Sequence, residues 1–391
     1  MNKRVVITGM GTVNSIGNSV KETWRGVKKS ITGIDKLTKF ETTNFPYKLS
    51  GEVKLLKPQI YLQENIWTTS NLGTQFAIMA AIEAIENSKI ELNRLSSEKF
   101  DVILGTTFDD SVKSNFENDL NIVTIADVLG ATGKTEIINF DDSSGSDSIG
   151  LAYKNIKMGD SILALAGGVD TKISAQMIKS LEKYGRLSKE TNYLHGSAPF
   201  DINSKGIVIS EGACVFILEE MEHAISRKAT ILGEIVGYGK DYNKNNVYIE
   251  EKKMSRKKAI LNSLAMANLK SNEIKYVNAN ASGDSKIDHL EIMVLNDIFS
   301  NQKKNISVSS SKGLFGHSLA ASGPLGVMII LLSMRDRYIH ENYGLERIII
   351  ESNTLSYLRK PHKNINIPYA ISNAFGFRGG NITLCIKKWT N

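Results

Sequence analysis

Cysteine is nearly absent from this chain of 391 residues, which has two, Cys214 and Cys385. Each lies in a strand-like apolar run, and neither belongs to a CxxC pair or a Cys/His cluster. A disulfide framework and a structural zinc are therefore not expected, and both residues read as inert core thiols. Long hydrophobic runs are lacking as well. The N-terminus offers only Val5, Val6 and Ile7, too little for a signal peptide. The longest apolar stretch, residues 324–334, is too short for a bilayer and runs into Arg335. A cytoplasmic protein with no membrane contact is expected. The net charge of +7 comes without a basic arm and without basic residues interleaved with aromatics. That argues against nucleic acid and leaves an acidic protein as the partner that the charge suits.

A hydrophobic share of 41% and a charged share of 23% are ordinary for a globular chain, and the length allows two or three units. Strand-like and helix-like patterns alternate. Helices are predicted over 71–87, 256–268, 291–299 and 323–334. Strands are predicted at 101–105, 136–138, 160–170, 213–218, 231–239, 276–280, 306–310 and 370–386, the last interrupted by a Gly-rich loop. This grammar predicts a layered α/β protein. The opening, a strand followed by Gly9 and Gly11, reads as a strand and a Gly-rich turn. It lacks a dinucleotide fingerprint, because Asn14 stands where the third glycine belongs and no acidic residue closes a second strand. The polar, Asn- and Lys-rich stretch from Lys240 to Lys253 marks a boundary, giving halves of 1–243 and 244–391.

The organising stretch is residues 139–150. A short β-branched run leads into a small-residue turn with Asp142, Ser143 and Ser144, and a helical pattern follows. Strand, tight turn and helix N-terminus is how an enzyme raises a nucleophile where backbone N–H groups favour an anion. Gly130, Gly133, Ser144, Gly145, Ile149, Gly150, Gly159 and the Ala166–Gly168 run resemble the nucleophile region of the β-ketoacyl synthases. The opening segment and the Pro199-Phe-Asp201…Glu211-Gly-Ala213 segment resemble the same family, with Ser210 in place of its first glycine. The resemblance covers essentially the whole chain. It implies the thiolase-like fold, two similar halves in an αβαβα layering.

In that family a cysteine carries the acyl chain, two histidines and a lysine serve decarboxylation and condensation, and two backbone N–H groups form an oxyanion hole. The motif with Lys312 and His317 matches closely. The nucleophile position holds Asp142, the first-histidine position holds Asn280 with Ala281 after it, and Arg378 replaces a glycine in the oxyanion loop of Gly376 and Phe377. Phe377 matches the family's gating phenylalanine. A carboxylate is a poor nucleophile toward a thioester, and a serine here needs a base. Ser143 and Ser144 therefore read as small turn residues. Asp142 is expected to stay ionised, to approach Lys312 and to repel a malonyl carboxylate. His195, His223, His289, His340 and His362 fall in no matching motif.

Between Gly105 and Gly130 the chain is shorter than the family pattern, in a region that forms part of the family's dimer interface. Val112 and Phe116 are the candidates for lining a tunnel there. The resemblance points first to a catalytically silent homologue, a chain-length factor that pairs with an active ketosynthase subunit in type II polyketide biosynthesis. The alternative is a malonyl-carrier-protein decarboxylase supplying acetyl primer; a self-standing condensing enzyme ranks last. No metal or soluble cofactor is implied, since acyl groups arrive on the phosphopantetheine of an acyl carrier protein.

Overall fold

The computed structural model describes residues 3–390 apart from 44, 58, 60–61, 92–99, 108–119, 132, 183–184, 245–247, 301–304 and 351–354. Val112 and Phe116 lie outside the described residues. The first half contributes strands β1 (Val5–Asn14), β2 (Phe100–Thr106), β3 (Thr135–Asn139), β4 (Leu163–Asp170) and β5 (Gly212–Glu220). The second contributes β6 (Gly233–Tyr242), β7 (Tyr276–Asn278), β8 (Ile306–Ser309), β9 (Leu355–Tyr357), β10 (Tyr369–Phe375) and β11 (Gly380–Lys387). All eleven join one sheet in the order β9-β8-β7-β10-β11-β6-β1-β5-β4-β2-β3.

The two halves repeat one another. In each, the third strand lies outermost and runs parallel to the second, which runs parallel to the fourth. The last strand then turns antiparallel and pairs with the half's first strand. β9 is an addition beside β8. Counted by this repeat, β6 opens the second half, and the expected division at 243/244 falls just behind that strand. We propose the boundary at the β5–β6 connection.

Helices fill the same places in both halves. α1 (Val20–Lys28) follows β1 on the surface, and α2 (Leu72–Ser88) and α3 (Ile122–Leu129) cover the outer face of the first half. α4 (Ser144–Met158) follows β3. In the second half α5 (Ile249–Met266) and α6 (Ser285–Phe299) cover the outer face, and α7 (Ser322–Asp336) follows β8. Apart from β3 and the end of β6, both faces of the sheet are therefore dry. Along β5, Cys214, Phe216 and Leu218 join the central core with α4 and α7, while Ala213, Val215 and Ile217 join the outer core with α2. This period of two, apolar on both faces, makes the strand a continuous hydrophobic run. Cys385 is buried in the other outer core.

Two sequence readings change here. The Gly-rich opening is a strand, not a turn. A Cβ on Gly9 would stand 2.0 Å from the Ala84 carbonyl oxygen, and one on Gly11 1.9 Å from that of Ala80. The glycines let α2 lie directly on β1, which leaves no space for a dinucleotide. The apolar run near residue 324 belongs to a longer segment, Leu319–Asp336, which by length and composition alone could cross a membrane. It is instead 89% buried within the protein, as the central helix between the two halves.

Candidate active site

The site forms where corresponding connections of the two halves meet. From the first half comes the turn between β3 and α4. From the second come the Lys312–Phe315 helical turn with His317, the end of β7 with Asn280, and the loop between β10 and β11. Close backbone approach makes this possible. A Cβ on Gly145 would lie 2.0 Å, and one on Gly168 2.1 Å, from the carbonyl oxygen of Ala320, so the first-half turn packs directly against the segment behind His317.

Asp142 is 4% exposed. Its Oδ1 accepts the Phe377 backbone N–H at 2.8 Å, and its Oδ2 stands 3.3 Å from His317 Nε2. His317 Nδ1 accepts the Leu319 N–H at 3.2 Å, which places the ring proton on Nε2, facing the carboxylate. Burial pushes the His317 pKa down, Lys312 adds to that, and Asp142 opposes it. Burial alone would raise the Asp142 pKa, but the hydrogen bond and charge of His317 and the Phe377 amide outweigh it and hold it below the usual carboxylate range. The Phe377 ring stacks on the imidazole, with centroids 5.2 Å apart.

The expected approach of Asp142 to Lys312 is thus replaced by one to His317. Lys312 is occupied elsewhere: its Nζ donates to the Asn280 carbonyl at 2.8 Å and to Asn280 Oδ1 at 3.1 Å. Burial brings its pKa down to about 8, opposed by Glu291, Asp142 and Asp288. Asn280 Nδ2 donates to the Phe375 carbonyl at 3.2 Å. Ser143 Oγ is committed to Asp141, and Ser144 Oγ accepts the amides of Phe140 and Asp141. Ser144 has no base beside it, and the Ser143 hydroxyl is held within the turn by the Asp141 carboxylate. Arg378 is half-buried on the loop beyond Phe377.

Sequence reasoning missed two carboxylates. Asp141, 1% exposed, accepts the N–H of Ser143 at 2.8 Å and that of Gly380 at 3.1 Å. Burial, then the neighbouring Asp142, raises its pKa to about 6. Two acids in succession inside an otherwise small, buried turn were the available signal. Glu291 is fully buried. Its Oε1 accepts the Asn280 N–H and the Asn373 side-chain amide, each at 3.0 Å, and its Oε2 has no hydrogen-bond partner. Asp288 and Glu291, three apart on α6, share the face turned to the site. Among the described residues no group of three or more His, Cys, Asp or Glu is arranged to hold a metal ion.

Taken as chemistry, one ionised carboxylate occupies two of the donors that could polarise a bound carbonyl, a histidine N–H and a loop amide. Charge-assisted hydrogen bonds are worth about 1.5–3 kcal/mol each, so a neutral thioester oxygen displaces them at a loss.

The sequence matches two family models, the β-ketoacyl synthase N-terminal domain over residues 2–224 and the C-terminal domain over 232–346. The chain belongs to the β-ketoacyl synthase family. Its curated relatives include 3-oxoacyl-(acyl-carrier-protein) synthase 2 of Staphylococcus aureus, 28% identical over 410 residues and matched across 99% of both chains. The enzyme of the same name from Synechocystis is also 28% identical, across 99% of this chain and 98% of the relative. A β-ketoacyl synthase from Burkholderia phymatum superposes with a TM-score of 0.88 at 24% identity, covering 99% of this chain and all of the other. The ishigamide ketosynthase/chain length factor gives 0.88 at 21%, with full coverage of both. A type II polyketide acyl-carrier protein in complex with its ketosynthase gives 0.87 at 23%, again with full coverage. These structures establish the thiolase-like ketosynthase fold for this chain. In this family the acyl group is carried on the phosphopantetheine arm of an acyl-carrier protein, and no separate cofactor takes part.

Proposed function

We propose that this ketosynthase homologue is catalytically silent and acts as a chain-length factor, paired with an active ketosynthase subunit. The observation that carries the reading is the Asp142 carboxylate, which stands in the nucleophile's place and closes on His317 Nε2 and the Phe377 amide. It leaves no thiolate to take an acyl chain. It also puts a negative charge where a malonyl carboxylate would have to come, and like charges in a buried site repel strongly.

The partner part of the reading is supported at the sheet's ends. β9 at one end is largely buried, whereas β3 at the other is largely exposed along its five residues. An exposed edge strand offers unpaired backbone groups to another chain. Just past it, Phe140 (42% exposed) and Tyr242 (53% exposed) pack against each other, rings 5.8 Å apart. This edge leads directly into the Asp142 turn, so a subunit bound there would sit beside the site.

The decarboxylase alternative keeps one argument, the retained Lys312 and His317. It needs two donors free to hold an enolate oxygen. His317 is engaged by Asp142, and Asn280 Nδ2 by the Phe375 carbonyl. Incubating the pure chain with malonyl-loaded carrier protein separates the two readings. The silent reading expects malonyl-carrier to persist; accumulation of acetyl-carrier at a catalytic rate would replace it with the decarboxylase.

A further inference from the structure

The sheet forks beside β1. Its pairing with β5 runs from Val5 to Asn14, but its pairing with β6 stops where Ile7 faces Gly233. From Thr8 onward this edge has no strand beside it among the described residues. Side chains of α2 take its polar groups instead. Asn87 Nδ2 donates to the Met10 carbonyl at 2.9 Å, and Glu83 accepts the Thr12 N–H at 2.9 Å and the Val20 N–H at 2.8 Å. α1 and the end of α7 close the fork and leave a cavity of about 640 Å³. Met10, Val20, Trp24, Leu232 and Leu332 give it an apolar lining.

Its rim is cationic. Lys21, Arg25 and Lys28 share one face of α1, and Arg335 adds a further positive charge from α7. Asp336 balances two of them: it accepts Lys28 Nζ at 3.0 Å and Arg335 Nε at 2.7 Å, and also Trp24 Nε1 at 2.6 Å. Lys21 and Arg25 are exposed and have no ion-pair partner among the described residues. The acid in the lining, Glu83, is turned to two backbone amides. Burial raises its pKa to about 7, so near neutral pH it offsets only part of one positive charge. α7 starts behind His317 and ends here. Its 15 residues, at about 1.5 Å each, put its two ends about 20 Å apart, so this cavity is separate from the Asp142 site.

We propose that this cavity binds an anionic amphiphile, a carboxylate on an apolar chain. The chain lies on Met10, Leu232 and Leu332, and the carboxylate meets Lys21 and Arg25 at the rim. An apolar hollow with a few converging polar groups is the usual form of a small-molecule site, and its volume falls in the usual range. Arg25 offers a carboxylate two parallel N–H donors. With two cations unpaired and Glu83 partly opposing them, a singly charged head suits the rim better than a phosphate monoester. No bond is made or broken, so the inference holds whether the chain is silent or a decarboxylase.

The test is calorimetric titration of the full chain with decanoate, held below its micelle-forming concentration, beside decanol and decyltrimethylammonium. Decanoate is expected to bind about tenfold more tightly than decanol, an advantage that shrinks in high salt, and the ammonium more weakly than both. Lys21→Gln combined with Arg25→Gln should remove the advantage of decanoate over decanol. Hydrogen exchange of the native chain with decanoate bound should slow in α1 and at residues 230–232, with residues 376–380 unchanged. Equal affinity for decanoate and decanol, or a preference that survives the double substitution, would overturn the site. Slowing at 376–380 in place of α1 would put the ligand in the Asp142 site and overturn it as well. Vesicles containing phosphatidylglycerol should not retain the chain; retention on them without binding of free decanoate would replace the small ligand with a membrane surface.

Discussion

The two halves share one strand order and one set of helices, yet they hold their chemistry differently. After β8, the second half keeps Lys312 and His317 in a loop that is buried throughout. After β3, the first half has two successive aspartates in the matching turn, and the strand leading into them is open to solvent. The scaffold tolerates this because the turn is held by backbone and small-residue contacts. Gly145 and Gly168 pack on Ala320, and Ser144 Oγ ties the amides of Phe140 and Asp141. None of these requires a thiol. The nucleophile position can change its chemistry without changing the fold, and function must be read from the site itself.

The sharpest way to break the contrast is to give the first half back its thiol. Asp142→Cys removes the carboxylate from His317 Nε2 and the Phe377 amide. We expect acyl-carrier protein to load this variant, an all-or-none change visible as an intact-mass adduct that the native chain lacks. Condensation should stay absent, because Asn280 supplies no second histidine. An adduct on the native chain would remove the asymmetry between the halves.

Next in size is a pH effect at the first-half turn. The Asp141 pKa is about 6 against 3.8 for the free group, raised by burial and then Asp142. A raised folded pKa contributes stability that is fully present below pH 3.8 and lost as pH rises through about 6. Asp141→Asn should therefore flatten the fall in stability between about pH 4 and pH 7, read from urea midpoints at each pH. An unchanged slope would place the titration elsewhere.

The exposed edge provides the third test. Phe140→Asp places a charge beside β3 and should weaken a complex with a ketosynthase subunit by about 2 kcal/mol, roughly thirtyfold, while leaving the thermal midpoint of the isolated chain unchanged. Equal affinity for both forms would move the interface away from this edge. The smallest effect is expected at Gly376, whose added Cβ would lie 2.1 Å from Asp141 Oδ2. Gly376→Ala should cost about 1 kcal/mol net, since the carboxylate can shift and alanine restricts the unfolded chain. A stabilised variant would mean that the loop is not seated on Asp141.

Much of this was legible in the sequence because it is contiguous. Lys312, Gly316 and His317 sit within one short motif, and the buried strands announce themselves as apolar runs. The helix predicted at 71–87 lies at Leu72–Ser88. What was not legible depends on contacts between distant segments. Nothing along the chain says that Lys312 turns to Asn280, and so leaves Asp142 to His317. Gly9 and Gly11 look like a turn until α2 is seen lying on them. The helix predicted from 256 begins at Ile249, because its first turns are charged and half-exposed and carry no apolar period.

On the proposed reading, this chain is a silent partner whose exposed first-half edge receives an active ketosynthase. Native mass spectrometry of the chain co-expressed with the ketosynthase encoded nearest to it tests that most directly. A one-to-one heterodimer is expected. A stable homodimer that ignores the ketosynthase would contradict it.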